Sequence, residues 1–392
     1  MTEPVPDLPV SSAPSELVAD SRYLDLVIRT LTSELRLDVT EIDSIDAFDL
    51  TRLRIAEPGP PGRNGAPAST GQPVDVDAVL HELRWRFAAD YGGWTVALGK
   101  NRDVAAQIGG FPQPQSMLAG GHPVPVDAAE LASTADPDGG KGIRVGILDT
   151  RIFLHKDIRD RIVPLGEGVE IADDEDMLPE RAGHATFIAG LVLARAPAAR
   201  IHVRHVLDDE TGRASVWRTA KQMAEFLADK DRIHILNLSL GFRTADGRPP
   251  LVLQRAIERL SRHMVVVAAA GNHGALKGMV RGITRRSQTW PAALPLVIAV
   301  GAPAAFSPQL PWVTVVAPGV DVRSTFLKGQ VKRPDGEIVC FPDGYALWSG
   351  TSFAAATVSG ILAANAGPGT GTTRTALQRL RGDQLITFTS AP

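Results

Sequence analysis

The stretch IRVGILD, residues 143–149, decides the fold. After Arg144 it is apolar or small at every position, carries β-branched residues, and stops abruptly at a carboxylate, Asp149. A strand with one wet face alternates apolar and polar residues, whereas a parallel strand covered on both faces has no need to. Five more runs of this type follow: RIHVRHVLD (200–208), IHILNLSLG (233–241), MVVVAAAGN (264–272), LPLVIAVGA (294–302) and WVTVVAPG (312–319). Helix-length segments separate them, so the pattern predicts a doubly wound, mostly parallel α/β sheet with helices on both faces. Ligands of such sheets sit at the carboxyl ends of the strands, which makes the residues ending these runs the ones to read for chemistry.

Outward from this core, HPVPVDAAELASTADPDGGKG (122–142) is a boundary of turn-forming residues, and EPGPPGRNGAPASTGQP (57–73) is a Pro/Gly-rich linker. Three regions are expected: a disordered tail over 1–20, an N-terminal α+β region over 21–140, and the sheet domain over 141–392. YLDLVIRTLTSELRL (23–37) suits either strand or helix. VDVDAVLHELRWRF (74–87) places Val79, Leu80, Leu83 and Phe87 on one helical face, and GWTVALGK (93–100) reads as a strand.

The 392 residues are 44% hydrophobic, enough for a sizeable core, and the net charge of -3 offers no bulk attraction to nucleic acid or membrane. Cys340 is the single cysteine, which excludes an intrachain disulfide, and no Cys/His pair has zinc spacing. The acidic, proline-rich start lacks the basic and apolar regions of a secretion signal, so cytoplasmic residence is the expectation. Cys340 is expected as a core thiol rather than a nucleophile.

Asp149 admits three readings. A dinucleotide site wants its glycines after the first strand, and here they precede it or lie within it. A phosphoryl-transfer aspartate commonly has a second aspartate two positions on, where this chain has Arg151. The third reading seeks a histidine and a nucleophile elsewhere. RAGHATFIAGLV places His184 at the start of a small-residue segment. WSGTSFAAATVSG places Ser352 at the head of an alanine-rich helix, where negative charge is stabilised. VVVAAAGNHG ends a strand at Asn272.

Together these stretches resemble the subtilisin-like serine proteases, the subtilases, whose chain order is Asp, His, Ser. HKDI after Asp149, HVLDDETGRAS, NLSLG, WPAALPLVIAVGA and WVTVVAPGVDVRST follow in that family's order, so the resemblance covers roughly residues 142–366. It implies a serine endopeptidase in which Asp149 orients His184, His184 takes the proton of Ser352, and Asn272 donates to the oxyanion, with no cofactor. It also implies an extended peptide or protein substrate, bound between Ser239, Leu240 and Gly241 on one side and Thr211, Gly212 and Arg213 on the other. Ala270, Gly271 and Asn272 would floor the primary side-chain pocket.

Several positions depart from the family pattern: Arg151 and Ala185 stand where glycine is usual, and Ala356 where proline is. Arg151 either competes with His184 for the carboxylate of Asp149 or points into the cleft and selects acidic substrate groups. A competing reading therefore stands, a catalytically weak or inactive fold used as a peptide-binding or scaffold module. Asp157 matches a frequent calcium ligand of the family, but its loop partners are missing, so no tight calcium site is expected. His155 matches a non-catalytic family histidine. The N-terminal region resembles either a propeptide or a retained docking domain, and docking would suit a processing protease acting on peptide precursors.

Overall fold

A computed structural model describes residues 15–58, 73–101, 121–127, 135–164, 169–170, 177–228, 232–244, 246–279, 283–366 and 373–389. The chain divides into two units. One comprises Met1–Val104 with Ser215–Trp217 and Pro250–Arg255, and the other holds the remainder.

In the first unit, strands β1 (Glu16–Asp20), β2 (Asp38–Ile45), β3 (Leu50–Ala56) and β4 (Leu98–Lys100) form an antiparallel sheet in the order β2-β3-β1-β4. The ambiguous segment after β1 is helical: α1 (Leu24–Arg29) runs on into a wider turn over Thr30–Glu34. Helix α2 (Val76–Asp90) buries Val79, Leu80, Leu83 and Phe87, the face expected from their spacing, against Leu17, Leu53 and Ile55. Its first turn is capped by the Asp75 carboxylate, which accepts from the N–H groups of Asp77 and Ala78. The final residues of the expected tail, Glu16–Asp20, are instead an inner strand. Glu16 is tolerated there because Arg54 and Asn101 donate to its carboxylate at 3.0 and 2.9 Å. Most of the 57–73 linker lies outside the described residues.

In the second unit IRVGILD forms β5 (Arg144–Asp149). Around it lie β6 (Ile162–Pro164), β7 (Arg200–His205), β8 (Ile235–Leu238), β9 (Val265–Ala269), β10 (Val297–Gly301) and β11 (Val315–Val316). These seven run parallel. The antiparallel edge strand Thr387–Phe388 completes an eight-stranded sheet, in which β5 sits between β8 and β7. Every apolar run of the sequence thus becomes a strand, because both faces are covered. Val145 and Ile147 pack toward helices α3 (His184–Arg195) and α6 (Thr351–Ala364). Gly146, between them, faces the opposite side, where a β-carbon would stand 3.2 Å from the Phe226 ring of helix α4 (Val216–Ala228); helix α5 (Leu251–Leu260) follows β8 in the chain.

Between the sheet and α6 the chain forms β12 (Val322–Thr325), β13 (Gly329–Lys332), β14 (Ile338–Phe341) and β15 (Tyr345–Trp348). β13 and β14 make a hairpin around the turn Pro334-Asp335-Gly336, and β15 pairs back with β12 before leading into α6. Cys340 corrects the expectation of a core thiol. It is exposed, because alternation along β14 turns Phe341 inward and its neighbour outward.

Candidate active site

Three elements of the second unit deliver the site. Asp149 is the last residue of β5, His184 the first of α3, and Ser352 the second of α6. The approach of α3 depends on Gly183, since a β-carbon there would lie 2.2 Å from the Phe326 ring. Asp149 and His184 are fully buried and Ser352 nearly so. His184 Nδ1–H donates to Asp149 Oδ1 at 2.7 Å, and the same oxygen accepts the Thr150 N–H at 2.8 Å. Because Nδ1 is the donor, Nε2 of the neutral ring carries the lone pair. Nε2 has no hydrogen-bond partner among the described residues, nor does Asp149 Oδ2. The imidazole is held in place by the rings of Trp348 and Phe353, with centroids at 5.7 and 5.6 Å.

Ser352 Oγ does not spend its hydrogen on His184. It donates to the Ser239 carbonyl at 3.0 Å, while Ser239 Oγ donates to the Ser352 carbonyl at 2.8 Å. Ser239 Oγ in turn accepts from Asn237 Nδ2 at 2.8 Å, and Asn237 Oδ1 accepts from Ser359 Oγ at 3.0 Å. The polar residues of NLSLG therefore clamp α6 to the sheet. Catalytic hydrogen bonds are often looser without substrate.

Asn272 follows β9 and is buried. Its Oδ1 accepts both the backbone N–H and the hydroxyl of Thr351, each at 3.0 Å. Thr351 Oγ1 also accepts the Gly271 N–H at 3.0 Å. With the oxygen occupied, the Nδ2 donors are left to face the head of α6, where the first-turn N–H groups of the helix lack intrahelical partners. Thr351 escapes a reading that looks only for reacting groups.

A small cavity of about 10 Å³ is lined by Ser239, Leu240, Gly241, Gly271, Asn272 and Ser352, together with Arg243, Thr289 and Thr351. Ala270 is absent from its wall: it is fully buried, and its N–H donates to the Val300 carbonyl. Thr211, Gly212 and Arg213 belong to a turn closed on Asp208. The Thr211 N–H donates to the Asp208 carboxylate, the Gly212 N–H to its carbonyl, and the Asp208 N–H to the Arg213 carbonyl. Those backbone groups are engaged within the loop.

Arg151 also departs from expectation. Its guanidinium pairs with the buried carboxylate of Asp209, and its backbone N–H donates to the same group at 3.1 Å. Neither oxygen of Asp149 accepts a bond from Arg151. Asp157 accepts the Tyr345 hydroxyl at 2.6 Å, and His155 packs edge-on against Tyr345 at 4.8 Å, its imidazole pushed below its ordinary pKa by burial. Among the described residues no group of three or more His, Cys, Asp or Glu side chains could hold a metal ion.

The model of the Subtilase family matches residues 140–379. The thermostable alkaline protease of Halalkalibacterium halodurans is 30% identical over 239 residues, covering 57% of this chain and 56% of that protein. M-protease of Shouchella clausii is 32% identical over 240 residues, covering 57% and 54%. Subtilisin BL of Lederbergia lenta is 32% identical over 203 residues, covering 48% and 67%. The chain thus spans little more than half the length of the first two. A crystal structure of a lanthipeptide protease superposes with a TM-score of 0.51 at 24% identity, over 63% of this chain and 80% of that one, a likeness of fold.

Proposed function

The chain belongs to the subtilase family, and from that premise we propose that it is a serine endopeptidase working through Asp149, His184, Ser352 and Asn272. The observation that carries the reading is the buried His184–Asp149 bond at 2.7 Å, which fixes the tautomer and leaves Nε2, on a ring packed against Phe353 of α6, without a partner among the described residues.

In this reading the Ser352 oxygen attacks a peptide carbonyl while His184 Nε2 takes its proton, and the Asp149 carboxylate stabilises the imidazolium that forms. The carbonyl oxygen gathers negative charge and receives Asn272 Nδ2–H and the Ser352 N–H. The tetrahedral species collapses, the C–N bond breaks, and the imidazolium hands its proton to the departing amine. Water, deprotonated by His184, then releases the acyl group and restores the serine. The substrate lies extended along Ser239–Gly241, pairing through the backbone as an added strand. Supporting the active form over an inert scaffold is the pairing of Arg151 with Asp209, which removes the feature that argued for inactivity.

A narrower form of the proposal is a dedicated processing protease, with the first unit engaging the substrate away from the scissile bond. The test of the whole reading is labelling by a fluorophosphonate probe together with cleavage of a peptide library. Both are expected, and both should be lost in Ser352→Ala. A folded wild-type chain that neither labels nor cleaves would overturn it.

A further inference from the structure

The cavity beside Ser352 and Asn272 holds two polar groups that the reaction does not use. Thr289 is fully buried, lines this cavity, and its hydroxyl has no hydrogen-bond partner among the described residues. Buried hydroxyls are almost always satisfied, so an orphan facing a cavity calls for a ligand. Arg243 lines the same space. Its Nη2–H donates to His273 Nδ1 at 3.2 Å, which requires the ring proton to sit on Nε2, where it reaches the Ser287 carbonyl at 2.7 Å. This relay holds the guanidinium in place. It also works only with a neutral imidazole, and burial together with the neighbouring Arg243 charge lowers the His273 pKa to about 4. Burial lowers that of Arg243 to about 10, which leaves it cationic at neutral pH.

Two glycines let the cleft backbone reach these groups. A β-carbon at Gly271 would stand 2.8 Å from Arg243 Nη2 and 2.9 Å from Thr289 Oγ1, and one at Gly241 would stand 2.3 Å from Thr289 Cγ2. The wall is thus thin where the polar groups are. At about 10 Å³ the space suits a water-sized polar head and excludes a large apolar side chain. A guanidinium and a hydroxyl both donate, and the side chain that only accepts is a carboxylate.

Resting on the endopeptidase reading, we propose that Arg243 and Thr289 make the enzyme select Asp or Glu immediately before the scissile bond. The carboxylate would take a charge-assisted bond from Arg243 and the unspent hydrogen of Thr289, replacing the water the cavity can hold.

The test uses quenched fluorescent peptides that differ only at that position, carrying Glu, Asp, Gln, Asn, Ala, Phe or Lys. They are assayed with the full chain, Arg243→Gln and Thr289→Val, each titrated by fluorophosphonate labelling so that rates refer to intact sites. The expected result is kcat/KM at least about tenfold higher for each acid than for its amide, since hydrogen bonds to charged groups are the stronger kind. That ratio should fall to near one in Arg243→Gln and fall several-fold in Thr289→Val. A wild type that labels and cleaves but treats acid and amide alike overturns the proposal and spares the endopeptidase reading. So does a ratio that persists in Arg243→Gln. Should Arg243→Gln fail to label, the wild-type ratio and its reduction in Thr289→Val decide the matter. A wild type that neither labels nor cleaves defeats both readings.

Discussion

Replacing Thr351 by valine removes a hydroxyl and leaves shape and volume almost unchanged. In the native arrangement that hydroxyl donates to Asn272 Oδ1 at 3.0 Å and accepts the Gly271 N–H at 3.0 Å, and Thr351 is 1% exposed. Valine leaves Asn272 one remaining tether, the Thr351 backbone N–H. Loss of the oxyanion donor itself costs roughly 10²–10³ in kcat, a value taken from subtilisin, a member of the same family, and not worked out from this chain. Loosening the donor should cost much less. One net hydrogen bond of about 1 kcal/mol, spent on orientation, corresponds to roughly a fivefold fall in kcat. KM should hardly move, because the oxyanion contact is made in the transition state. The stranded Gly271 N–H adds a folding cost of about 1–3 kcal/mol, readable by urea denaturation. Steady-state kinetics of wild type, Thr351→Val, Asn272→Ala and the double variant decide the matter. If Thr351 acts through Asn272, its kcat effect disappears in the Asn272→Ala background, and Thr351→Ser restores the wild-type rate. An equal loss in both backgrounds, or a rise in KM with kcat unchanged, would refute the reasoning.

Arg151→Gly should change kcat by less than about twofold, yet lower stability by about 2 kcal/mol, because Asp209 keeps its buried charge and loses its cation; peptide cleavage and urea melts separate the two effects. Gly183→Ala forces a β-carbon to within 2.2 Å of Phe326, so overpacking should cost about 1–3 kcal/mol and displace His184, seen as reduced fluorophosphonate labelling. His273 has its folded-state pKa lowered from 6.5 to about 4, first by burial and then by Arg243. Above pH 6.5 it is neutral in both states; as pH falls toward 4 the unfolded chain takes up the proton and the folded one does not, so up to about 3 kcal/mol of stability is lost. His273→Gln should flatten that slope between urea melts at pH 7 and pH 4.5, and an unaltered slope would count against the buried neutral imidazole.

The strands of the second unit were readable because an apolar run covered on both faces leaves no ambiguity of period, and Asp149, His184, Asn272 and Ser352 were readable because each closes a run or opens a helix. What escaped depended on partners distant in the chain. Glu16–Asp20 looked like tail because its acidic ends suggest solvent. Arg52 and Arg54, brought alongside by β3, and Asn101, in the chain after β4, satisfy Glu16 and make an inner strand of it. Arg151 looked disruptive beside Asp149 until Asp209, 58 residues on and just past β7, took its charge. Arg243 and Thr289 sit in stretches with no chemical signature, and they meet only because two glycines let three segments approach. Cys340 was misjudged by composition alone, since strand alternation and not hydrophobicity decides its side.

The run of bonds from Ser359 through Asn237 and Ser239 to Ser352 touches α6 at two points roughly two turns apart, on the same side of its axis. A single attachment would stop the helix sliding and still let it roll, as a shaft can turn in one bearing. Two attachments in line act as a key in a slot and fix its rotational phase. The direction in which Ser352 points is thereby set from the sheet beneath it, so the loops around the cleft can vary in length and composition without turning its hydroxyl.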